Sequence, residues 1–295
     1  MSWSQVLERR AEEGRRSSVH SPPNPLPDID ARDRANPLAA SDYVNDIFGY
    51  YKRVESSYMA SATYMESQAD INDRMRAILI DWLVEVHLKF KLMPETLHLT
   101  VNIIDRYLEK KQVSRRNLQL VGVTAMLIAS KYEEIWAPEV RDFVYISDRA
   151  YTREQILNME KTMLNELNFN LTVPTAYPFL GRYLKAAGAS RETSFLAAYL
   201  VELGLVDCAT LKYKPSMLAC AAVSTAQAAM GGERFSYTLE RHAGVTETEA
   251  TPAIKHLAKL MSKAPTANLV AVHKKYMGQK FMEVAKTAVP EDILA

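Results

Sequence analysis

The chain has 295 residues, of which 48% are hydrophobic and 24% charged, and its formal net charge is +1. This composition excludes a chain that is disordered throughout, and the near-zero charge gives no electrostatic reason for nucleic acid or an acidic membrane to be the main partner. The two cysteines, Cys208 and Cys220, suggest neither a disulfide framework nor a zinc site, and no apolar stretch is long enough to span a membrane. We therefore expect a soluble, intracellular protein with no membrane and no nucleic-acid partner.

Residues 1–40 are predicted to form a disordered tail. They hold five of the 13 prolines, together with serine and mixed charge, and such a segment cannot bury enough apolar surface to offset its conformational entropy. The pairs Arg9-Arg10 and Arg15-Arg16 fit a bipartite nuclear signal, but they also fit a solvated charge cluster.

Order is predicted to begin at Ser41, which is suited to cap an N-terminal helix with apolar residues at helical spacing up to residue 54. The next predicted helix, residues 75–90, has two apolar arcs. One arc consists of Met75, Ile78, Leu79, Trp82, Val86 and Phe90, and the other of Ala77, Ile80, Val84 and Leu88. A helix that only covers a core needs one apolar stripe. Either this helix is buried on both sides, or one arc contacts a partner.

Four more helices are predicted before residue 168. Pro94 suits the first position of one helix, and residues 118–132 form another that is rich in small residues, as expected for the centre of a bundle. Pro138 is predicted to start a short helix, and the capping box Thr152-Arg-Glu-Gln155 to open the last one.

The pattern then repeats after a linker that ends at Pro174. The predicted helices of this second group are residues 177–187, 193–211, 215–230, 236–242 and a helix opened by the capping box Thr246-Glu-Thr-Glu249. The sequence therefore predicts an all-α fold of two tandem five-helix bundles, with domain boundaries at 41–170 and 171–290.

Six short strings occur in order over about sixty residues and resemble one known family. They are Met75-Arg-Ala-Ile-Leu-Ile-Asp-Trp82, Pro94-Glu-Thr-Leu97, Asn102-Ile-Ile-Asp-Arg106, Leu118-Gln-Leu-Val-Gly122, Ser130-Lys-Tyr-Glu-Glu134 and Pro138-Glu-Val140. Together they resemble the cyclin box of mitotic cyclins, which are regulatory subunits of cyclin-dependent kinases. The residues of these strings are most similar to those of plant B-type cyclins, with A-type cyclins second. The resemblance implies a subunit that binds and activates a mitotic cyclin-dependent kinase, and it implies a location in the nucleus and cytoplasm.

No catalytic or metal-binding constellation is present in the sequence, so we predict that the chain is not an enzyme and needs no cofactor or metal. Two other functions stay open. One is a transcription-initiation factor with tandem cyclin-like repeats that bind DNA, and the other is a helical scaffold that acts without a kinase.

Lys131 and Glu160 lie within otherwise apolar helices. The residues alone indicate an ion pair or two charges at the rim of the core. The resemblance implies instead that they hydrogen-bond the backbone around the C-helix of the kinase. The residues that match other family positions at this interface are Tyr132, Glu133, Glu134 and Phe169.

The resemblance also gives a meaning to the first arc. Four residues of this arc, joined by Leu118, match the hydrophobic patch that docks Arg-x-Leu peptides of substrates and inhibitors. The four are Met75, Ile78, Leu79 and Trp82. Glu85 would pair with the arginine of the peptide, and Gln119 would bond its backbone. The alternative is that Met75 and Leu118 are simply core residues.

Three further expectations follow. Arg76 and Asp105 match a charged pair that ties two helices of the box together. The basic run Lys110-Lys111 and Arg115-Arg116 contacts phosphorylated partners or is a solvated loop. Residues 1–40 contain no Arg-x-x-Leu destruction signal, so the chain is either shortened or degraded through another signal. The sequence does not identify the kinase paralogue or the substrates.

Overall fold

The computed structural model describes residues 26–294 and divides after Ser41 into two units. Within residues 26–41 there are two single-turn 3-10 helices, Ala31–Asp33 and Pro37–Ala39, neither of which has a buried residue. The Asn36 side chain caps the second turn by accepting a hydrogen bond from the Leu38 amide. Most of the predicted disordered tail, including the arginine pairs of the possible nuclear signal, lies outside the described residues.

The described residues of the second unit form thirteen α-helices and no strand, which confirms the all-α prediction. The helices are α1 (Val44–Val54), α2 (Asp73–Phe90), α3 (Pro94–Lys110), α4 (Arg115–Glu133), α5 (Val140–Ile146), α6 (Arg153–Glu166), α7 (Ala176–Ala186), α8 (Arg191–Val206), α9 (Pro215–Ala229), α10 (Tyr237–Ala243), α11 (Glu247–Lys263), α12 (Ala271–Tyr276) and α13 (Glu291–Leu294).

Helices α2–α6 form one five-helix bundle and α7–α11 form a second, as the sequence predicts. The centre of the first bundle is α4, which packs against α2, α3, α5 and α6, and the centre of the second is α9, which packs against α7, α8, α10 and α11. The middle turns of both central helices are buried, and both helices contain many small residues. Small side chains allow this close approach of several neighbours, so composition alone identifies the two centres.

Helix ends follow from local capping chemistry. Both predicted capping boxes form: Thr152 and Gln155 exchange side-chain and backbone hydrogen bonds at the start of α6, and Thr246 and Glu249 do so at the start of α11. Gly244 ends α10 in the left-handed conformation, with a φ of 63°.

Several predicted boundaries are wrong by a few residues, and three of them have a clear local cause or consequence. Helix α1 begins at Val44 rather than after Ser41, and its N-cap, Tyr43, makes no side-chain hydrogen bond. Helix α5 begins at Val140 rather than Pro138, because Glu139 forms a capping box there. Helix α8 ends at Val206, and the rest of the predicted helix is a 3-10 turn, Cys208–Lys212, whose first amides are capped by the Asp207 side chain.

Helix α1 is attached to the second bundle by two opposite charges one turn apart. The Lys52 ammonium donates to the carbonyl oxygens of His242 and Ala243, at the C-terminal end of α10. The buried Glu55 carboxylate accepts from the Ser216 amide at 2.9 Å and from its hydroxyl, at the N-terminal end of α9. Each charge lies at the helix end whose dipole it complements, so α1 is fixed by polar as well as apolar contacts.

Among residues 26–294, no helix combines the length and the apolar character that a membrane span requires.

Candidate functional site

The predicted kinase-binding residues surround the C-terminal ends of α4 and α6. Lys131, in the last turn of α4, pairs with Glu160 of α6, with 2.7 Å between Nζ and Oε1. The lysine side chain is 49% exposed and the glutamate 13% exposed. Exposed pairs of this kind contribute about 0–1 kcal/mol to stability. The pair can therefore open, and each group can bond a partner protein instead, at small cost in free energy.

Phe169 is an exposed aromatic residue held in a strained backbone. Its φ is 56° and that of the preceding Asn168 is 50°, both in the left-handed region. The Phe169 amide donates to the Leu164 carbonyl at 2.9 Å, which closes the end of α6, and the side chain stays 66% exposed. A non-glycine residue in such a conformation costs on the order of 1–3 kcal/mol and is most often found at functional sites.

Two other predicted residues also lie at this end of the bundle. The Tyr132 hydroxyl lies 2.6 Å from the Thr172 hydroxyl, so the end of α4 is bonded to the linker between the bundles. The Glu133 side chain is exposed, yet partial burial of its carboxyl, followed by the nearby Glu95 and Glu134, raises its pKa.

Glu134 has a different position from the one expected of an interface residue. Its Oε1 accepts hydrogen bonds from the Met93 amide at 2.7 Å and from the Thr96 hydroxyl, at the start of α3. Helix α3 begins with Pro94 and has no cap from its own N-cap residue. Glu134 therefore ties the start of α3 to the end of α4 through the amide of the N-cap residue Met93 and the hydroxyl of Thr96.

Sequence reasoning assigned no role to the two most exposed apolar residues of this region. Ile135 and Trp136 are each 90% exposed, directly after α4. The sequence does contain a signal that could have identified them: Ile135 and Trp136 are large apolar residues that fit no helical apolar spacing and lie shortly before Pro138. Together with Tyr132 and Phe169 they form what we call the exposed apolar cluster. Large exposed aromatic residues of this kind are typical of protein-binding surfaces.

Helix α1 and the residue before it also have exposed aromatic side chains. Tyr43 and Tyr50 are exposed and lie on one face, seven residues apart. Tyr51, on the other side, has its pKa raised by burial and then by the nearby Tyr132 and Glu133, which shows that α1 lies close to the end of α4. The sequence predicted the helix but not this proximity.

Six of the seven predicted patch residues line one open cavity of about 320 Å³: Met75, Ile78, Leu79, Trp82, Leu118 and Gln119. Leu79 and Leu118 form the buried floor, and Ile78 is 49% exposed at the rim. Leu79 is only 6% exposed. The seventh residue, Glu85, is exposed on α2 but does not line the cavity.

The floor of the cavity depends on Gly122 of α4. A Cβ atom at this position would lie 2.7 Å from Cδ1 of Leu79. The absence of a side chain thus lets Leu79 sit against α4.

The first arc of α2, which begins at Met75, is not simply an outer face, and the second arc, which begins at Ala77, is not simply an inner face. Val86, placed with the outer arc, is buried, and Phe90 packs edge-on against Phe143 with ring centroids 5.3 Å apart. Leu88, placed with the inner arc, is exposed. Only the first two turns of the outer arc, from Met75 to Trp82, belong to the cavity.

Arg76 and Asp105 meet in a buried bidentate ion pair, with Nε–Oδ1 and Nη2–Oδ2 distances of 2.6 and 2.7 Å. The Tyr64 hydroxyl donates to the same carboxylate at 2.8 Å. Arg76 also donates from Nη1 to the carbonyl of Leu205, at the end of α8, at 3.1 Å. The pair joins α2 and α3 and also links the first bundle to the second.

Most of the basic run between α3 and α4 is engaged within the protein. Lys111 pairs with Glu166 at 2.9 Å, and Lys110 donates to the Glu166 carbonyl. Arg115 pairs with Asp70 at 2.7 Å and lines the edge of the patch cavity. Hydrogen bonds from the Arg115 amide, and then from its guanidinium, lower the pKa of the Asp70 carboxyl.

Among the described residues no group of three or more histidine, cysteine, aspartate or glutamate side chains is arranged to hold a metal ion. The chemistry of these surfaces is that of protein binding.

Two family models match the chain. One is described as the cyclin N-terminal domain and matches residues 46–172, and the other as the cyclin C-terminal domain and matches residues 174–290. A viral cyclin from herpesvirus saimiri has a similar fold, with a TM-score of 0.67 and 22% identity over 74% of this chain and 97% of the viral one.

Curated relatives are mitotic cyclins of plants. G2/mitotic-specific cyclin-1 of Medicago sativa subsp. varia is 52% identical over 260 residues, 88% of this chain and 61% of the relative. Cyclin-B2-1 of Oryza sativa subsp. japonica is 51% identical over 88% of this chain and 62% of the relative. The chain thus spans about three-fifths of the length of these two proteins. It covers 79% of G2/mitotic-specific cyclin-2 of Medicago sativa, at 48% identity.

The family consists of regulatory subunits rather than enzymes, as the sequence predicted. The two matched domains, the helical fold and these identities establish that the chain belongs to the cyclin family, with plant B-type mitotic cyclins among its relatives.

Proposed function

We propose that this chain is a regulatory subunit that binds and activates a mitotic cyclin-dependent kinase and docks Arg-x-Leu substrates or inhibitors during mitotic progression. The observation that carries the first part is the exposed apolar cluster beside the Lys131–Glu160 pair. Trp136 and Ile135 are almost fully exposed, and Phe169 is held outward by a strained backbone. A surface of this kind is stabilised when a partner covers it.

The electrostatics of the pair suit this exchange. Opening a half-exposed ion pair costs little, whereas Lys131 and Glu160 bonded to kinase backbone within a covered interface would be desolvated and fully paired. The apolar cluster supplies the driving force, and the two charges fix the orientation.

The proposed mechanism is mechanical. The docked cyclin pushes the kinase C-helix inward, so that its glutamate pairs with the lysine that positions ATP, and the activation loop is reordered. The bundle is suited to this because Tyr132 and Glu134 are bonded to the linker and to α3, respectively, and hold the end of α4 rigid.

The second part of the proposal concerns the patch. Its cavity has an apolar floor of Leu79 and Leu118 and an open rim at Ile78, which suits a peptide leucine. Glu85 is the proposed partner of the peptide arginine. Arg115 also lines the cavity, and its positive charge disfavours placing the peptide arginine near Gln119.

The decisive experiment mixes the purified chain with a mitotic cyclin-dependent kinase and measures complex formation and histone phosphorylation. We expect a stoichiometric complex and phosphorylation far above that of the kinase alone. No complex, together with salt-dependent binding to duplex DNA, would favour the transcription-factor alternative instead. The proposed location in nucleus and cytoplasm is tested by imaging a fluorescent fusion through the cell cycle.

A further inference from the structure

A second cavity lies between the two bundles, away from both surfaces described above. It has a volume of about 470 Å³ and is bounded by the end of α2 and the start of α3 on one side, and by α7, α8 and the segment after α11 on the other. Cavities of about 300–1,000 Å³ are typical of small-molecule sites.

Aromatic side chains form much of the wall. Tyr177, Phe195, Tyr276 and Phe281 all line the cavity. The rings of Phe195 and Phe281 meet edge-on at 5.6 Å, and those of Tyr276 and Phe281 lie 4.8 Å apart. Such walls favour a flat, aromatic ligand.

Two buried histidines that line the cavity have nitrogen atoms without a partner. The Nδ1 atoms of His87 and His98 make no hydrogen bond. His87 Nε2 lies 3.1 Å from the Met93 carbonyl, which can only accept, so this nitrogen bears the proton and Nδ1 is an acceptor. Buried polar atoms are nearly always paired, so an acceptor left over beside a cavity indicates a missing donor.

The charges around the cavity favour an anion. The charge of Glu202 is neutralised by Lys275, which donates to both of its oxygens, and the Tyr276 hydroxyl donates to one of them. Lys91 and Lys280 also line the cavity, are exposed, and pair with no carboxylate in the described part of the chain.

We propose that this cavity, which we call the inter-bundle cavity, binds a small aromatic anion that has an N–H or O–H donor. The ring stacks between Tyr177 and Phe281, the donor bonds His87 Nδ1, and the anionic group lies near Lys91 and Lys280. A bound ligand contacts both bundles and therefore stabilises their mutual arrangement. This site is independent of the kinase and of the patch.

The probe is 8-anilinonaphthalene-1-sulfonate, which combines two aromatic systems, a sulfonate and one N–H donor. Fluorescence titration of the folded chain is expected to show saturable binding. Two variants fill the cavity from opposite sides, Gly181→Leu on α7, where an added Cβ meets open space, and Ala198→Leu on α8. Each is expected to weaken binding about tenfold or more by removing ligand volume, with unchanged circular dichroism.

Two controls define the site. Ile78→Ala alters the patch and should leave the titration unchanged. 8-Phenoxynaphthalene-1-sulfonate keeps both aromatic systems and the charge but has an ether oxygen in place of the N–H, and it should bind about fivefold more weakly, the effect expected for one lost hydrogen bond. The proposal is overturned if the wild-type chain shows no saturable binding, if neither filled variant weakens it, or if only Ile78→Ala does. Equal affinity for the two probes would overturn the assignment of the donor to His87.

Discussion

The two bundles share an architecture but differ in what they leave at the surface. In the first, the central helix α4 ends in Lys131 and is followed by the exposed Ile135 and Trp136. In the second, the central helix α9 begins under the cap of Glu55 and ends in the tight turn at Gly231-Gly232. The same kind of small-residue helix is therefore followed by exposed apolar residues, our proposed binding surface, in one bundle, and by a tight turn in the other.

The ion pairs show the same contrast. Arg76–Asp105 and Lys275–Glu202 are almost fully buried and hold helices together, whereas Lys131–Glu160 has a half-exposed lysine and its loss should affect binding instead. Burial decides which role a charged pair has, because only a buried charge is left without water when its partner is removed.

The largest effect is expected for Arg76→Ala. It leaves Asp105 buried without its cation and removes the bond to Leu205 of the second bundle. Unfolding in denaturant should show a loss of about 3–5 kcal/mol. A loss below 1 kcal/mol would mean that the pair does not hold the bundles together.

In contrast to Arg76→Ala, the variants Lys131→Ala and Glu160→Ala should weaken kinase binding much more than they lower the free energy of unfolding. Kinase binding is expected to weaken by about 2–5 kcal/mol, because each truncation leaves partner groups unpaired in a covered interface, while the free energy of unfolding changes by about 1 kcal/mol or less. Calorimetric titration against the kinase and denaturant unfolding measure the two quantities. Full kinase activation by the folded double variant contradicts the assignment.

Gly122→Ala should distort the patch cavity by displacing Leu79, which forms part of its floor. The new Cβ collides with Leu79, and overpacking of this kind costs about 1–3 kcal/mol. Binding of an Arg-x-Leu peptide should fall along with the melting temperature. The matched control is Gly181→Ala, in a helix with open space around the new Cβ, which should be neutral or stabilising.

Acid should weaken the fold through two histidines at the boundary of the bundles. Burial, and then the nearby Lys275, lowers the pKa of His87 to about 4 and that of His98 to about 3. Unfolded histidine titrates near pH 6.5, so between that pH and about 4 the unfolded chain binds more protons and stability falls as the pH falls.

The expected loss from pH 7 to pH 5 is on the order of 1–2 kcal/mol for each histidine. Denaturant unfolding of the wild type and of His98→Gln over this range measures it. A variant with the same slope as the wild type would show that His98 makes no contribution.

The smallest effect is expected for Met75→Ala, at the edge of the patch cavity. It should weaken Arg-x-Leu peptide binding by about 1 kcal/mol, as for a contact outside the centre of an interface. Phosphorylation of a short peptide without the motif should barely change, since the exposed apolar cluster is elsewhere. A parallel loss of both activities would mean that Met75 is a core residue.

The sequence alone determined the features that depend on neighbours within one or two helical turns. Apolar spacing and small-residue content gave α1 and the ten helices of the two bundles, including the two central ones, but not α12 and α13, and the capping boxes at Thr152 and Thr246 gave two helix starts. The family strings grouped six residues that do line one cavity. These features are encoded locally or in a motif.

Only the tertiary structure decided how the polar side chains are used. Glu134 bonds the start of α3, Glu55 caps α9, Lys131 pairs with Glu160, and Arg76 reaches the end of α8. The partners of these groups are between 29 and 161 residues away along the chain. No local pattern encodes such contacts, because the docking of whole helices brings the groups together and burial then requires each of them to find a partner.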